Sequence, residues 1–312
     1  MIIQKNKLVL GIAQLGMKYG LNNTHGQPAK EESFSILDAA LFAGINTFDT
    51  AHAYGTAEDI LGEWIQSRSL ADKVHIISKM KPHALNDYPD GTKAIDVVLA
   101  ELGKSLKRLN IKSLDGYLFH SPHYIYLIHM IEGMQKAKKD GLVKNIGVST
   151  YDEAEALQAV ESGIDYVQIP YNAFDQRLDA TDFFEIAKKN KVTVFARSPF
   201  LQGLLLMQPN KLPPHLVSMR PQLEQFIVIA KHRNLTQAEA ALLFVRTACR
   251  ADHIVFGGET LEQLEENIGI MKNSATTDAD WIVEMKEAFR DFNRGAINPS
   301  LWGRTNVPRL NH

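Results

Sequence analysis

Cysteine is almost missing from this chain. Cys249 stands alone, which excludes an internal disulfide framework and any cysteine-built metal site. It closes the apolar run 240–249, which reads as a buried helix, so the thiol is expected to pack as a small apolar group. Charge of one sign is equally scarce. A formal net charge of -2 offers no basic face, and nucleic acid is not an expected partner. No stretch reaches the ~20 consecutive apolar residues of a membrane span. The start, Met1-Ile2-Ile3-Gln4-Lys5, lacks the long apolar core of a secretory signal, so a cytoplasmic location is expected. No Gly-x-Gly-x-x-Gly turn follows the first apolar run, which disfavours an open doubly wound sheet. A His-x-His pair is also absent there, which argues against a metal-dependent hydrolase barrel, and no metal is expected.

What is present is abundant core material, 45% hydrophobic residues over 312 positions. That length suits a single α/β barrel, which needs ~250 residues plus insertions. Short apolar runs at 8–11, 45–49, 74–79, 114–120, 145–149, 166–170, 192–197 and 253–256 read as strands. Helical material separates each from the next. The best helix lies at 95–109, where Ile95, Val98, Leu99, Leu102, Leu106 and Leu109 share one side. Repeated strand–helix units demand a parallel sheet, and eight of them close into an (α/β)8 TIM barrel. No linker composition divides the chain, so residues 1–312 read as one domain. Two irregular insertions interrupt the pattern, one at about 198–221 and a tail at about 273–312.

Chemistry concentrates at strand ends. The run Ile45-Asn46-Thr47-Phe48-Asp49-Thr50-Ala51-His52-Ala53-Tyr54-Gly55 delivers Asp49 at the end of the second strand and Tyr54 in the following loop. Lys79 ends the third strand and His120 the fourth. In a barrel, neighbouring strand ends converge on one mouth. A tyrosine with an ordinary pKa of ~10 is a poor proton donor at neutral pH. An adjacent lysine cation favours the phenolate and lowers that pKa, while an aspartate holds the lysine in place. A neutral His120 ring can orient a carbonyl oxygen beside the Tyr54 hydroxyl. Taken singly, a strand-end lysine is a solvated charge and a histidine before Ser121-Pro122 a cap. Four such groups on three consecutive strands make a constellation.

These residues resemble the aldo-keto reductase superfamily. The resemblance rests on Phe48-Asp49-Thr50-Ala51-x-x-Tyr54-Gly55, Lys79, Leu118-Phe119-His120-x-Pro122, Gly147-Val148-Ser149, Gln168, Ser198-Pro199 and the late Thr260-Leu261-x-Gln263-Leu264-x-Glu266-Asn267. It implies reversible hydride transfer between a nicotinamide cofactor and a carbonyl or alcohol, without metal. Tyr54 is then the general acid, Lys79 and Asp49 tune it, and His120 positions the substrate. By the same resemblance Ser149 and Gln168 hold the nicotinamide carboxamide. Ser198 to Gly203 cover the pyrophosphate, and Glu266 and Asn267 contact adenine. A cofactor-sensing subunit with little turnover is the alternative within the same family.

Three positions depart from the family pattern. Thr150 stands where an asparagine is usual. Arg197 stands where an aromatic ring commonly stacks on nicotinamide, and a guanidinium can stack likewise or recruit an anionic substrate. Around the adenosine ribose, Gly257-Gly258-Glu259-Thr260 and Gln263 replace the Lys or Arg that NADPH-specific members use. An acid such as Glu259 can accept from a ribose 2'-hydroxyl. Family habit puts NADP(H) first, with NAD(H) the alternative. The substrate pocket is expected around Tyr19, His52, the 198–221 segment and the tail with Trp302. Those residues suit a polar, sugar-like carbonyl compound. The opening Gly11-x-Ala13-Gln14-Leu15-Gly16-x-x-Tyr19-Gly20 is similar to a bacterial subgroup associated with surface carbohydrate. A homo-oligomer is left open.

Overall fold

The computed structural model describes residues 7–272 and 279–302. The start at 1–5 and the tail stretches 273–278 and 303–312 lie outside the described residues. Eight parallel strands close into a barrel in sequence order. They are β1 (Lys7–Gly11), β2 (Thr47–Asp49), β3 (His75–Lys79), β4 (Leu114–Phe119), β5 (Val143–Ser149), β6 (Tyr166–Pro170), β7 (Thr193–Arg197) and β8 (His253–Phe256). The helices are α1 (Ala13–Gly16), α2 (Lys30–Phe42), α3 (Ala57–Arg68), α4 (Ala94–Leu109), α5 (Ile128–Lys139) and α6 (Glu153–Glu161). They continue with α7 (Phe183–Lys189), α8 (Arg220–His232), α9 (Gln237–Ala248), α10 (Leu261–Lys272), α11 (Ala279–Ala288) and α12 (Arg294–Ile297). The ring is sealed by pairing of Lys7 through Leu10 with His253 through Phe256.

Strand faces sort as the barrel requires. Val9, Ile77, Leu118, Phe195 and Val255 fill the interior, and the opposite faces join one large core under the helices. On α4 the predicted stripe turns inward, with Val98, Leu102 and Leu109 fully buried. Asp152 and Thr236 each close a reciprocal capping box with a glutamate on the following helix, α6 and α9 respectively. Cys249 is buried, and its surroundings push the thiol up to about 12, so it stays protonated.

Ala13–Gly16 coil into the short α1 beneath the Tyr54 loop. Gly16 is required there. A Cβ at Gly16 would lie 1.9 Å from the Tyr54 carbonyl oxygen. The tail is not irregular throughout. Its described part contains α11, which buries Trp281 and Met285, and the single turn α12. Residues 198–203 form a turn with left-handed Ser198, Leu201, Gln202 and Gly203, and 3-10 turns follow at Leu204–Leu206, Pro209–Lys211 and Pro214–Met219. No helix among the described residues is long and apolar enough to cross a membrane.

Candidate active site

A cavity of about 460 Å³ opens at the carboxyl ends of the strands. Its wall runs from Asp49, Tyr54 and His120 past Ser149 and Arg197 to the loop after β8. The strand register explains this convergence. Asp49 ends β2, Lys79 ends β3, His120 follows β4, and Ser149 and Arg197 end β5 and β7, all on one rim.

Lys79 lies beneath the wall, fully buried, and donates to Asp49 Oδ1 at 2.6 Å and to the Thr50 carbonyl at 3.0 Å. The Gln168 amide donates to the other Asp49 oxygen. The Lys79 ammonium stands 5.1 Å from the Tyr54 ring centroid. His120 meets the same ring edge-on at 5.7 Å. Tyr19 approaches it at 6.4 Å. Three groups from separate elements therefore surround one phenol.

Electrostatics departs from expectation at Tyr54. Burial and the nearby Asp49 carboxylate raise its pKa, and the more distant Arg197 cation only partly opposes them. Lys79 gives hydrogen bonds to Asp49 and to the Thr50 carbonyl, and the Asp49 carboxylate works with burial against the expected lowering. Burial is also the largest influence on Lys79, lowering its pKa against the pull of Asp49. Tyr54 is thus held as the protonated donor. Burial, reinforced by Lys79 and Arg197, lowers His120 to about 3, which keeps the imidazole neutral as expected. Its Nδ1 is buried without a partner.

Of the residues expected at a cofactor, Ser149, Arg197, Ser198, Gly203, Gly257, Glu259, Gln263, Glu266 and Asn267 line the cavity. Gln168 sits one hydrogen bond behind it, and its side-chain Oε1 is buried without a partner, its main-chain oxygen being a separate acceptor. Thr150 is turned inward, donating to the Gln168 carbonyl at 3.1 Å. Asn267 donates to the Gly257 carbonyl at 3.1 Å, and Gln263 accepts from the Glu259 amide at 2.9 Å. Both shape the loop after β8. Gly257 leaves room for Gln14, since a Cβ would lie 2.9 Å from that amide and from the Gly11 carbonyl. The 17–29 loop crosses the mouth, where the Leu21 amide donates to the Gln202 carbonyl at 2.8 Å. His25 lies 3.9 Å from Glu259.

Two substrate expectations are displaced. His52 is not on the cavity wall. Its Nδ1 lies 2.7 Å from Arg108 Nη2, within a buried cluster that also holds Glu58 and Ser78. The cause is local. Glu58 is buried and needs a cation, Arg108 supplies it, and the neutral His52 ring accepts the next guanidinium proton. Trp302 also misses the cavity, donating instead to the Ala296 carbonyl, whereas Pro299 does line it. Tyr19 does lie on the wall. Sequence reasoning passed over Tyr151, whose ring carries the Arg197 guanidinium at 4.7 Å. Its place just beyond the end of β5 was the available signal.

The cavity fits a nicotinamide dinucleotide. The Gln168 side-chain oxygen is buried without a partner just behind the wall, and Gly257 and Gly258 line the end near β8. Among the described residues no cluster of His, Cys, Asp or Glu could hold a metal.

The Aldo/keto reductase family model matches residues 7–287. Aldo-keto reductase str7 of Strobilurus tenacellus is 28% identical over 290 residues, covering 83% of this chain and 81% of its own length. D-threo-aldose 1-dehydrogenase of Pseudomonas sp is 24% identical over 298 residues, 82% of this chain and 89% of its own. The solved holo form of aldo-keto reductase AKR11C1 from Bacillus halodurans shares the fold, with TM-score 0.71 and 19% identity over 90% of this chain and 91% of that one. With a closed eight-stranded barrel and a family match over nearly its whole length, this chain belongs to the aldo/keto reductase family of oxidoreductases.

Proposed function

We propose that this protein reduces the carbonyl group of a polar, sugar-like compound with a nicotinamide cofactor, Tyr54 giving the proton. The carrying observation is the Tyr54 phenol on the cavity wall, with the Lys79 ammonium 5.1 Å from its ring centroid and the His120 ring edge-on at 5.7 Å. The cofactor, when bound, supplies hydride to the carbonyl carbon. Every other task falls to this chain. His120, neutral, donates a hydrogen bond to the carbonyl oxygen and fixes it beside the Tyr54 hydroxyl. Tyr54 releases its proton to that oxygen as charge develops there, and Lys79 stabilises the phenolate left behind. Asp49 holds Lys79 in place and is held in turn by Gln168.

Ser149 and Gln168 would hold the carboxamide, Ser198 to Gly203 the pyrophosphate, and the loop after β8 the adenosine. Along that last stretch the lining residues Gly257, Glu259, Gln263 and Glu266 include no cation, and burial raises the Glu259 pKa. An acid there accepts from a 2'-hydroxyl and repels a 2'-phosphate, which supports NAD(H) over the NADP(H) ordering of family habit. A sugar-like substrate has support in the aldose dehydrogenase relative and in the polar wall around Tyr19, Tyr151 and Arg197. A cytoplasmic site of action accords with the sequence composition.

The test is NADH and NADPH oxidation across a carbonyl panel that includes aldoses, keto-sugars and 4-nitrobenzaldehyde, with Kd for both cofactors from fluorescence quenching. Turnover that Tyr54→Phe abolishes is the expected result. Tight cofactor binding with no turnover of any carbonyl would instead identify a cofactor-sensing subunit.

A further inference from the structure

Among the described residues that line the cavity, Arg197 is the one cation. Its guanidinium has five N–H donors. Nε donates to the Ser149 hydroxyl at 3.1 Å, Nη1 to the Ser198 hydroxyl at 3.2 Å and Nη2 to the Thr150 carbonyl at 2.8 Å. All three acceptors are neutral, and two donors remain, one on each Nη. The face of the group rests on Tyr151 at 4.7 Å. No ion pair to Arg197 occurs among the described residues.

That is unlike Arg108 and Arg177, which are also half-buried. Arg108 pairs with Glu58, and Arg177 with Asp175 and Glu153. A half-buried charge without a counter-charge is costly unless an anion arrives from outside. The position suits such an arrival. Arg197 is near enough to Tyr19, Tyr54 and His120 for its charge to act on each of them. A planar fork with two donors free also matches carboxylate or phosphate oxygens.

We propose that Arg197 anchors an anionic group on the substrate, so the carbonyl compound reduced here carries a carboxylate or a phosphate. Ser149, Ser198 and Thr150 aim the fork, and Tyr151 supports it from below. This rests on the reading of Tyr54 as proton donor, because the anchor is useful only if it delivers a carbonyl to that phenol. A cofactor phosphate offers the same chemistry as a substrate anion, and the experiment separates the two.

Wild type, Arg197→Met and Arg197→Lys are compared on 4-carboxybenzaldehyde and 4-nitrobenzaldehyde, whose substituents match in shape and differ in charge. The ratio of the two kcat/KM values cancels any general damage to turnover. In Arg197→Met, measured with cofactor saturating, the preference for the carboxylate is expected to fall at least ~10-fold, and Arg197→Lys keeps part of the preference. An unchanged ratio overturns the proposal. So does an unchanged ratio with a tenfold weaker cofactor Kd, which would give the anion to the cofactor. Calorimetric titration with terephthalate needs no turnover, and equal affinities in wild type and Arg197→Met also overturn it. Terephthalate binding that depends on Arg197, with neither aldehyde reduced by wild type, upholds the anion site and removes the reductase reading instead.

Discussion

Lys79 and Asp49 are 1% and 4% exposed, so neither charge has water to fall back on. Their 2.6 Å contact is the arrangement in which losing one partner costs far more than losing both. Lys79→Met leaves a buried carboxylate with the Gln168 amide as its remaining side-chain partner. Asp49→Asn leaves a buried ammonium bonded to the Thr50 carbonyl, and burial already lowers its pKa. Each single change is expected to cost about 3–5 kcal/mol, the penalty of an uncompensated buried charge. Replacing both, as Asp49→Asn/Lys79→Met, is expected to cost only about 1–2 kcal/mol, since two amides and a thioether fill the space without charge. A domain holds only about 5–15 kcal/mol in total, so the singles should show large midpoint shifts. Urea unfolding at pH 7 without cofactor, followed by circular dichroism, gives the four free energies of the cycle. Singles below about 1 kcal/mol, or additivity within about 0.5 kcal/mol, would refute a tightly coupled buried pair.

Two further outcomes follow from the same burial. His120 has a folded pKa lowered from 6.5 to about 3, so its contribution to stability is complete above 6.5 and lost as pH falls towards 3. With Lys79, Arg197 and His52 as the charges that act on it, unfolding at pH 4.5 should be easier than at pH 7 by about 2–3 kcal/mol, and His120→Asn should flatten that dependence; an unaltered pH profile contradicts it. Arg108→Met strips Glu58 of its cation and His52 of its donor, and should cost about 3 kcal/mol, largely recovered in Glu58→Gln/Arg108→Met by the same denaturation assay.

The barrel was legible because parallel strands buried on both faces write themselves as unbroken apolar runs, and their number fixed closure. The catalytic candidates were legible for a related reason. Strand ends point to one rim, so Asp49, Lys79 and His120 could be placed together from chain order alone. Side-chain direction in loops was not legible. His52 and Tyr54 lie two residues apart on one loop, yet one turns to α4 and the other to the cavity, and that choice depends on Arg108, more than fifty positions away. Tyr151 was hidden likewise, because its role is to carry Arg197 from a different strand. The sign of the Tyr54 shift escaped because spacing shows that a lysine is near but not where its protons point.

One physical condition ties these results together. The rim of the barrel is dry enough that burial dominates each group, leaving Tyr54 protonated and His120 neutral. Within that dry shell Lys79 is matched with Asp49 and Arg108 with Glu58. Arg197 has no such partner among the described residues, and it lines the cavity. A low-dielectric site that pairs its structural charges and leaves one cation open beside its proton donor is built to have that charge completed by what it binds.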